Sequence, residues 1–430
     1  MTQIIIATVI LVACVIIGVP IAHAMGLTAI TFIVMMNPAN LTAIPLRMFA
    51  GINSFTLMAL PLFMLAAEIM VRTGISSKLF DFVRIGRIGK AKGGLAYVNV
   101  IASVIFGSIS GAALSDVAGL GKVELDSMEE DGYPKDFACA ITAASSIESP
   151  LIPPSNIAIL YAGTMSLSVG AVLYAGVIPG LILAGTQILY IALNAKRLNL
   201  PAHAKQYTKE EKHLIRRDGL IALGMPLIIL VGITAGWFTP TEAAAVAVLY
   251  SLIVGKFVFK KLHLNDITEA LWNAAKTTGN LFMIIGFSNV FGWALGTEQI
   301  PQKLATFMTS ITDNKYVILL IINIIFLIVG MWMETASAVL LFAPILAPIV
   351  YAVGVPPIQF AVIVIVNLTI GLITPPVGVV LYAVADVAHA KFEDVVKATM
   401  PFIFLALVTL LLMTLFPPLT MAIPQFLGFV

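Results

Sequence analysis

Polar and helix-breaking residues interrupt two otherwise apolar stretches of this chain. Residues 146–163 read SIESPLIPPSNIAILYAG, and residues 371–384 read GLITPPVGVVLYAV. Because proline has no backbone N–H and breaks a helix, carbonyl oxygens in both stretches lose their intrahelical partners. Such oxygens, together with hydroxyl and amide groups, are what a hard cation or a polar solute binds. The two stretches therefore predict a binding site at the point where each helix is broken.

The composition places these stretches in a lipid bilayer. Of the 430 residues, 60% are hydrophobic and only 11% are charged, whereas soluble domains carry about 25% charged residues. We therefore predict an all-α polytopic membrane protein. The net charge of +2 gives no basis for a nucleic-acid partner. The two cysteines have no CxxC spacing and no Cys/His cluster, which argues against a disulfide framework and a transition-metal site.

The apolar stretches and the basic segments together predict the topology. The first stretch lacks the basic start and the cleavage site of a signal peptide, so we expect it to be retained as a first helix. Basic segments at 72–92 and 195–217, with Lys256–Lys261 as a third, are expected to be cytoplasmic. The N-terminus is then cytoplasmic and the C-terminus periplasmic. The apolar stretches lie at 3–36, 55–71, 94–120, 137–164, 168–194, 218–237, 240–258, 279–295, 316–354, 357–386 and 398–428.

One of these apolar stretches is predicted not to cross the membrane. Between the basic segments that end at 92 and begin at 195, the chain must cross an even number of times, yet three apolar stretches intervene. A re-entrant hairpin over 94–120 that bends at FGSISGAALSD (106–116) resolves this parity. Non-helical backbone at membrane depth is tolerated only where it is buried in protein or faces water. The hairpin tip is therefore a further part of the predicted binding site.

The broken stretches are also landmarks of an internal repeat. The separation of Pro153 and Pro375 is almost the same number of residues as that of Gly107 and Gly330, since the two separations differ by a single position. Tracing the chain from its basic segments gives the second half the opposite orientation in the membrane. Inverted repeats with paired discontinuous helices are typical of secondary transporters whose site lies near the midplane. We therefore predict two inverted repeats, each with a re-entrant hairpin and a discontinuous helix.

This repeat predicts a division of the chain into moving and static parts. The two hairpins and the two broken helices would form a transport domain, and the remaining helices would form a scaffold. The predicted parts are a first repeat at 1–194 (arm and scaffold 1–71, transport elements 94–164, scaffold helix 168–194), a cytoplasmic linker with an extra helix at 195–239, and a second repeat at 240–430 (scaffold and arm 240–278, transport elements 279–386, scaffold helix 398–428).

Several stretches resemble the large membrane subunit of tripartite ATP-independent periplasmic (TRAP) transporters, of the DctM/SiaM type. They are SFTLMALPLFMLAAEIM (54–70), FGSISGAALSD (106–116), IPPSNIAILYAG (152–163), VGAVLYAGVIPGLI (169–182), LFAPILAPI (341–349) and NLTIGLITPPVGVVLYAV (367–384). The resemblance implies an elevator-type fold, like that of the ion transporter superfamily, and a multi-pass protein of the bacterial inner membrane that is not an enzyme. It also implies Na⁺ as the coupling ion, no organic cofactor, a small membrane subunit and a periplasmic binding protein as partners, and a small organic anion as substrate. Sialic acid or a C4-dicarboxylate is the expected substrate class.

Residues at the two hairpin tips and the two breaks are the predicted sodium ligands. Their hydroxyl and carbonyl oxygens suit a hard cation without a buried charge, and Val377 would contribute only through its main chain. For the first tip the alternative is close helix packing, because Gly107 and Gly111 have the GxxxG spacing. Two positions depart from the family pattern: Ala112 replaces a hydroxyl residue, and Glu334 replaces an aspartate. The predicted ligands are Ser108, Ser110, Gly111, Ser149, Ser155, Asn156, Gly330, Glu334, Thr335, Gly371, Thr374, Val377 and Gly378.

Charged residues near the tips each have two possible roles. Glu334, Asp116 and Glu148 could take part in ion coupling, or could cap a helix N-terminus, where the dipole stabilises a carboxylate by about 0.3–1 kcal/mol. Arg47 could hold a substrate carboxylate, or could only extend its guanidinium to the membrane interface. The predicted substrate-binding residues are Arg47, Ser108, Ser155, Pro153 and Pro375.

Three other functions are alternatives to tripartite import. A free-standing Na⁺/carboxylate symporter of the same fold would need no binding protein. An intramembrane hydrolase would need a nucleophile–base pair or a metal motif such as HExxH, which is absent, and Ile109 stands where a G-x-S-x-G motif needs serine. A channel would not need paired inverted hairpins, which suit alternating access. We therefore expect transport and not catalysis.

Overall fold

The computed structural model describes residues 6–429 except residues 8, 12, 15–16, 37, 203–206 and 313. Over these ranges the chain forms helices joined by short turns, and its one isolated β-bridge joins Lys92 to Ala202. Six helices are long and apolar enough to cross a membrane, and up to eight spans result if each of two bent helix pairs counts as one. This bears out the prediction of an all-α polytopic membrane protein. The six are Val169–Asn194, Pro240–Val258, Leu264–Thr297, Lys315–Trp332, Thr335–Ala352 and Phe392–Leu415.

The N-terminal apolar stretch is not one continuous helix. A turn at Ile17 and Gly18 follows the first helical residues, and a new helix, Ile21–Met36, begins after Pro20. Gly18 has a φ of 86°, which glycine tolerates, and proline cannot continue the hydrogen bonding of a preceding helix. The predicted single first helix is therefore wrong in this respect. Residues 3–5 of that prediction lie outside the described ranges.

One group of helices is assembled around the longest helix, Leu264–Thr297. This helix packs against Ile21–Met36, Ala43–Ile52 and Ala59–Arg72, and Pro240–Ile253 also packs against Ala59–Arg72. We call these five helices the arm bundle. The boundary predicted between an arm ending at 278 and a span beginning at 279 falls inside the longest helix, because no proline interrupts it.

Two helical hairpins form the centre of a second group. The first hairpin consists of Gly94–Ser110 and Ala113–Glu130, which meet at a bend of 116°. The second consists of Lys315–Trp332 and Thr335–Ala352. The returning helix of the first hairpin runs to Glu130, well beyond the predicted end at 120, because a π-helical turn at Val117–Gly121 continues it without a break. Residues 121–136, which follow the predicted hairpin, are therefore largely helical.

Two broken helices complete this group, which we call the hairpin bundle. The first broken helix consists of Lys135–Ser146 and Asn156–Thr164, and the second consists of Pro357–Gly371 and Val379–Ala388. Phe392–Leu415 packs against Lys135–Ser146, and Val177–Asn194 packs against the first hairpin. The predicted division of the chain places these last two helices in the static scaffold, and that division stays a prediction.

A buried network of polar side chains holds part of the hairpin bundle together. The Asn367 Nδ2 donates to the backbone oxygen and to the Oδ1 of Asn323, both at 2.9 Å. The Asn323 Nδ2 in turn donates to the Thr414 Oγ1 at 3.1 Å. These bonds tie the second hairpin, the second broken helix and Phe392–Leu415 together through groups that have no access to water.

We expect Asn367→Ala to lower the thermal stability of the protein. The substitution removes two hydrogen bonds and leaves a buried acceptor unsatisfied, at a cost of about 1 kcal/mol or more. The melting temperature of the purified protein in detergent measures this loss. Thr268→Ala is the control, because Thr268 is exposed and its hydroxyl donates to the Leu264 oxygen of its own helix at 3.0 Å. Equal melting temperatures for the two variants would contradict the expectation.

Candidate functional site

The tip of the first hairpin depends on a glycine. Gly111 ends the helix Gly94–Ser110 with a φ of 61°, a left-handed conformation that favours glycine. A β-carbon on Gly111 would lie 2.6 Å from the backbone oxygen of Pro154. The tip therefore approaches the break of the first broken helix as closely as backbone atoms allow.

Two hydrogen bonds join this tip to the break. The Asn156 Nδ2 donates to the backbone oxygen of Ser110 at 3.1 Å, and the Asn156 backbone N–H donates to that of Gly111 at 3.3 Å. The Ser155 side chain caps the helix that begins at Asn156: its Oγ accepts from the Ala158 N–H at 3.1 Å and donates to the Pro150 oxygen at 2.5 Å. Three predicted ligands, Ser110, Gly111 and Asn156, thus lie in contact.

Several buried oxygens at this junction have no hydrogen-bond partner. They are the Ser110 Oγ, the Ser149 Oγ and the Asn156 Oδ1. A β-carbon on Gly107 would lie 2.8 Å from the Ser149 Oγ, so the absence of a side chain there leaves room for the Ser149 hydroxyl. The Ser108 Oγ differs, because it donates to the Ile105 oxygen of its own helix at 2.5 Å. Unsatisfied oxygens that converge in this way are ready to bind a cation.

The second hairpin tip is organised by a carboxylate. Glu334 is the N-cap of the helix Thr335–Ala352, and its Oε2 accepts from the Ser337 N–H at 3.1 Å. The structure thus places Glu334 in the capping role that the sequence analysis left open. At this tip a β-carbon on Gly371 would lie 2.6 Å from both the Cα and the oxygen of Gly330. The predicted ligands Gly330 and Gly371 are therefore packed backbone to backbone.

The second break exposes a run of carbonyl oxygens. Among the described residues, the oxygens of 375–377, which include Val377, accept no backbone hydrogen bond. The Thr374 Oγ1 donates to the Ile370 oxygen at 2.7 Å, and Gly378, with a φ of 56°, begins the helix that follows. Each break contains a cis Pro–Pro bond, at Pro153–Pro154 and at Pro375–Pro376.

A cavity of about 790 Å³ lies between the arm bundle and the hairpin bundle. The hairpin bundle contributes Ser110, Ser115, Asn156, Glu334 and Ser337 to its lining, and the arm bundle contributes His23, Glu68, Thr277 and Asn280. The described residues that line it include no lysine and no arginine. Both hairpin tips therefore face one space between the two bundles.

Three helices begin at this cavity. They are Ala113–Glu130, Asn156–Thr164 and Thr335–Ala352, and residues of the first turn of each line the cavity. Ser155 caps the second with a neutral hydroxyl and Glu334 caps the third with a carboxylate, whereas the first has no side-chain cap. Because a helix N-terminus carries a partial positive charge, the two without a carboxylate cap can bind an anion without a basic side chain.

The predicted substrate residues lie elsewhere. Arg47 lies on Ala43–Ile52 with its guanidinium carbon 5.3 Å from the centre of the Trp293 ring, a cation–π contact. None of the predicted set Arg47, Ser108, Ser155, Pro153 and Pro375 lines the cavity. Ser115 and Ser337, which do line it, are missing from both predicted sets. Their only signal in the sequence is a hydroxyl in the turn that follows each hairpin tip.

No cluster of three or more histidine, cysteine, aspartate or glutamate side chains in the described ranges is arranged to hold a metal ion. The two free cysteines, Cys14 and Cys139, are both buried. The candidate site contains hydroxyl, amide and carbonyl oxygens and helix ends, which bind ions and polar solutes through many weak contacts.

The family of this chain follows from comparison with known sequences. The family described as the tripartite ATP-independent periplasmic transporter, DctM component, matches residues 8–419. The chain belongs to the DctM family. This confirms the resemblance found in the sequence, and it makes the chain a large permease subunit of a TRAP transporter and a multi-pass membrane protein.

Two relatives of this DctM-family chain match nearly its whole length. The sialic acid TRAP transporter large permease protein SiaM of Vibrio cholerae is 36% identical over 96% of each chain. The C4-dicarboxylate TRAP transporter large permease protein DctM of Pseudomonas aeruginosa is 35% identical over 95% of this chain and 94% of its own. The crystal structure of the Alcanivorax borkumensis YdaH transporter aligns with a TM-score of 0.63 over 89% of each chain, at 15% identity, and shows the fold alone. All three proteins are transporters or transporter subunits.

Proposed function

We propose that this DctM-family chain imports an organic carboxylate across the bacterial inner membrane by a sodium-coupled elevator movement. The observation that carries the proposal is the cavity between the two bundles, where helix N-termini from both hairpins and the first broken helix meet. A cavity shared between two bundles is what alternating access requires, because relative movement of the bundles can open it to either side.

The substrate anion is held by helix ends in this proposal. The first turns of Ala113–Glu130 and Asn156–Thr164 face the cavity, and their helix dipoles favour a carboxylate. The Ser110 and Asn156 side chains would complete its hydrogen bonds. In this proposal Arg47 does not bind the substrate; its guanidinium contacts the Trp293 ring and stabilises the packing of the arm bundle.

Sodium binds at the two junctions between hairpin tip and break. At the first junction, the unpaired oxygens of Ser110, Ser149 and Asn156 support a cation site. At the second, the free carbonyls of 375–377 lie in the loop that follows Gly371, which packs on Gly330. Each cation would order a tip before the anion binds and would offset its charge, which couples uptake to the sodium gradient.

An inverted repeat supports the elevator movement. Each helix of the second hairpin and the second broken helix has a counterpart in the first half. The number of positions between the first residues of the two helices is nearly the same in all four pairs and varies by no more than two. The pairs are Gly94–Ser110 with Lys315–Trp332, Ala113–Asp116 with Thr335–Ala352, Lys135–Ser146 with Pro357–Gly371 and Asn156–Thr164 with Val379–Ala388. The hairpin bundle would move as one body against the arm bundle.

The open side of the cavity is cytoplasmic in this proposal. Its arm-bundle lining comes from residues 20–23, 60–71 and 274–284. The second of these ranges ends directly before the basic segment 72–92, and the third begins shortly after the basic residues 256–261. Since basic segments stay in the cytoplasm, the cavity lies on the cytoplasmic half of the arm bundle. The described arrangement would then be the one that releases substrate.

The partners follow from the relatives. The names of the V. cholerae and P. aeruginosa proteins specify large permease subunits of TRAP transporters for sialic acid and for C4-dicarboxylates. We infer that this chain works with a small membrane subunit and a periplasmic binding protein that delivers a substrate of one of these classes. The N-terminus would be cytoplasmic and the C-terminus periplasmic.

Uptake into liposomes tests the proposal. The chain is reconstituted with and without its small subunit and its binding protein, and labelled sialic acid and succinate are compared under an inward sodium gradient. Uptake that needs both the binding protein and sodium is expected. Sodium-driven uptake by the chain alone would favour a free-standing symporter of the same fold, and uptake that ignores sodium would overturn the coupling mechanism.

A further inference from the structure

Three buried carboxylates lie beneath the first hairpin tip. Asp116 and Glu124 belong to the returning helix of the hairpin, and Glu148 lies where the first helix breaks; their exposed fractions are 2%, 1% and 0%. Each lies within electrostatic range of another, since Asp116 repels both Glu124 and Glu148 and Glu124 also repels Glu148. The proposed sodium junctions use none of these three side chains.

No basic side chain compensates this charge. Within the part of the chain that the structure describes, no lysine, arginine or histidine acts on any of the three carboxylates. The nearby buried Arg84 is directed to Asp131 at 3.8 Å and to the Ser127 hydroxyl at 3.5 Å. An uncompensated carboxylate in a dry interior is costly, so the cluster must be neutralised, either by a bound cation or by protons.

The carboxylates differ in how well the protein satisfies them. Glu124 faces a polar chain of side chains, with the Ser103 Oγ at 3.5 Å and Asn99 and Thr142 close by. In contrast, both oxygens of Glu148 and the Oδ1 of Asp116 have no hydrogen-bond partner. The unpartnered carboxylate oxygens of this cluster therefore belong to Asp116 and Glu148.

The Ser149 hydroxyl belongs to the same space. It is fully buried and interacts with the Asp116 carboxylate, but its Oγ has no partner in good hydrogen-bond geometry. Four unpartnered oxygens from Asp116, Glu148 and Ser149 thus lie in a region without a basic group. Carboxylate and hydroxyl oxygens are the donors that a hard cation prefers.

The fold itself does not require these acids. The proposed repeat assigns each residue of the first half an equivalent position in the second half. This position is found by adding the separation between Pro153 and Pro375 to the residue numbers of Asp116, Glu124 and Glu148. The chain has Ala338, Leu346 and Ile370 there, and all three of these residues are buried and apolar. The same hairpin and break are therefore built in the second half without carboxylates, which indicates a role for the acids beyond packing.

We propose that Asp116, Glu148 and Ser149 form a further site for a monovalent hard cation, behind the first hairpin tip. The inference rests on the proposed sodium coupling and adds to it a site with charged ligands inside the hairpin bundle. A Na⁺ bound there offsets the buried charge and moves with the hairpin bundle. The first half of the protein then carries more coupling charge than the second.

The test compares Na⁺ dependence in isosteric amide variants. Glu148→Gln and Asp116→Asn keep the size of the side chain, and Glu130→Gln, on the exposed end of the same hairpin helix, is the control. Uptake by the reconstituted tripartite system is measured against Na⁺ concentration at constant ionic strength, with choline as the replacement cation. We expect each cluster variant to weaken apparent Na⁺ affinity by about tenfold and to lower the Hill coefficient, while Glu130→Gln matches the wild type.

A second measurement distinguishes a loss of Na⁺ binding from a loss of folding. Stabilisation of the purified protein by Na⁺ is measured as a shift in melting temperature, for the wild type and for Glu148→Gln, because the Glu148 side chain belongs to neither proposed sodium junction. A reduced Na⁺ shift in Glu148→Gln supports the site. An amide is isosteric with a protonated acid, so unchanged Na⁺ dependence in both amide variants would mean that the cluster holds protons. That result would overturn the further site but not the proposed sodium coupling. Wild-type uptake that does not depend on Na⁺ would instead overturn the proposed coupling.

Discussion

Gly371→Ala is expected to reduce uptake to background and to destabilise the protein. The new β-carbon would lie 2.6 Å from both the Cα and the oxygen of Gly330, and closer still to its carbonyl carbon. These are backbone atoms, so no side-chain rotation can relieve the contact, and overpacking of this kind costs about 1–3 kcal/mol. Relief requires the second hairpin tip to separate from the second break, which would dismantle the proposed second sodium junction. Sodium-driven uptake and the melting temperature of the purified protein measure the two effects.

Two other glycines provide the controls for this prediction. Gly292→Ala places a β-carbon where no atom lies within 4 Å, on a helix of the arm bundle, and we expect wild-type uptake. Gly330→Ala meets its nearest atoms, on Gly371 and Leu368, at 3.3 Å, so a smaller loss than that of Gly371→Ala is expected. The order wild type, Gly330→Ala, Gly371→Ala in melting temperature is the predicted result. A Gly371→Ala protein with the stability and uptake of the wild type would show that the two backbones do not pack in this way.

Asn156→Ala is expected to weaken the apparent Na⁺ affinity by about tenfold or more. The Asn156 side chain holds the Ser110 oxygen at 3.1 Å, and its own Oδ1 is buried without a partner. Its removal therefore loosens the first tip and deletes an oxygen from the proposed sodium junction. Because Asn156 also lines the cavity, the apparent affinity for the carboxylate substrate is expected to fall as well. The dependence of uptake on Na⁺ and on substrate concentration measures both losses.

A matched asparagine separates this effect from a general loss of packing. Asn194 donates to the Tyr190 oxygen at 3.0 Å within its own helix and does not line the cavity. Asn194→Ala is expected to leave Na⁺ dependence unchanged. If Asn156→Ala and Asn194→Ala have the same Na⁺ dependence as the wild type, the first junction is not a sodium site, and the unpaired oxygens of Ser110 and Ser149 need another explanation.

The sequence alone was sufficient to predict the membrane class, the family and the position of the first hairpin tip and both breaks. These features are local, because a bilayer requires every backbone polar group in a span to be satisfied within the protein. A run such as FGSISGAALSD or IPPSNIAILYAG marks where a helix must stop. The predicted ligands Ser110, Gly111 and Asn156 meet at one junction, and Gly330 and Gly371 meet at another, since short motifs at tips and breaks have few ways to pack.

The direction of individual side chains could not be read from such motifs. Arg47 faces Trp293, and Glu334 caps the helix that follows it. Both outcomes depend on neighbours brought close by packing, and a residue type and its spacing do not specify these neighbours. For the same reason, the sequence did not show that the predicted arm and the following span of the second half form one helix, Leu264–Thr297. The helices packed around this long helix stabilise it.

Which residues line the cavity and which buried acids lie close together is determined by the tertiary structure alone. Ser115 and Ser337 are distant in the chain, and they share one cavity only because the two hairpins pack with their tips toward the arm bundle. Asp116, Glu124 and Glu148 lie on two elements that the hairpin and the break bring together. The sequence therefore determined where the backbone is interrupted, because hydrogen bonding in lipid is a local requirement. Which charges and hydroxyls then meet was determined by how those interruptions pack.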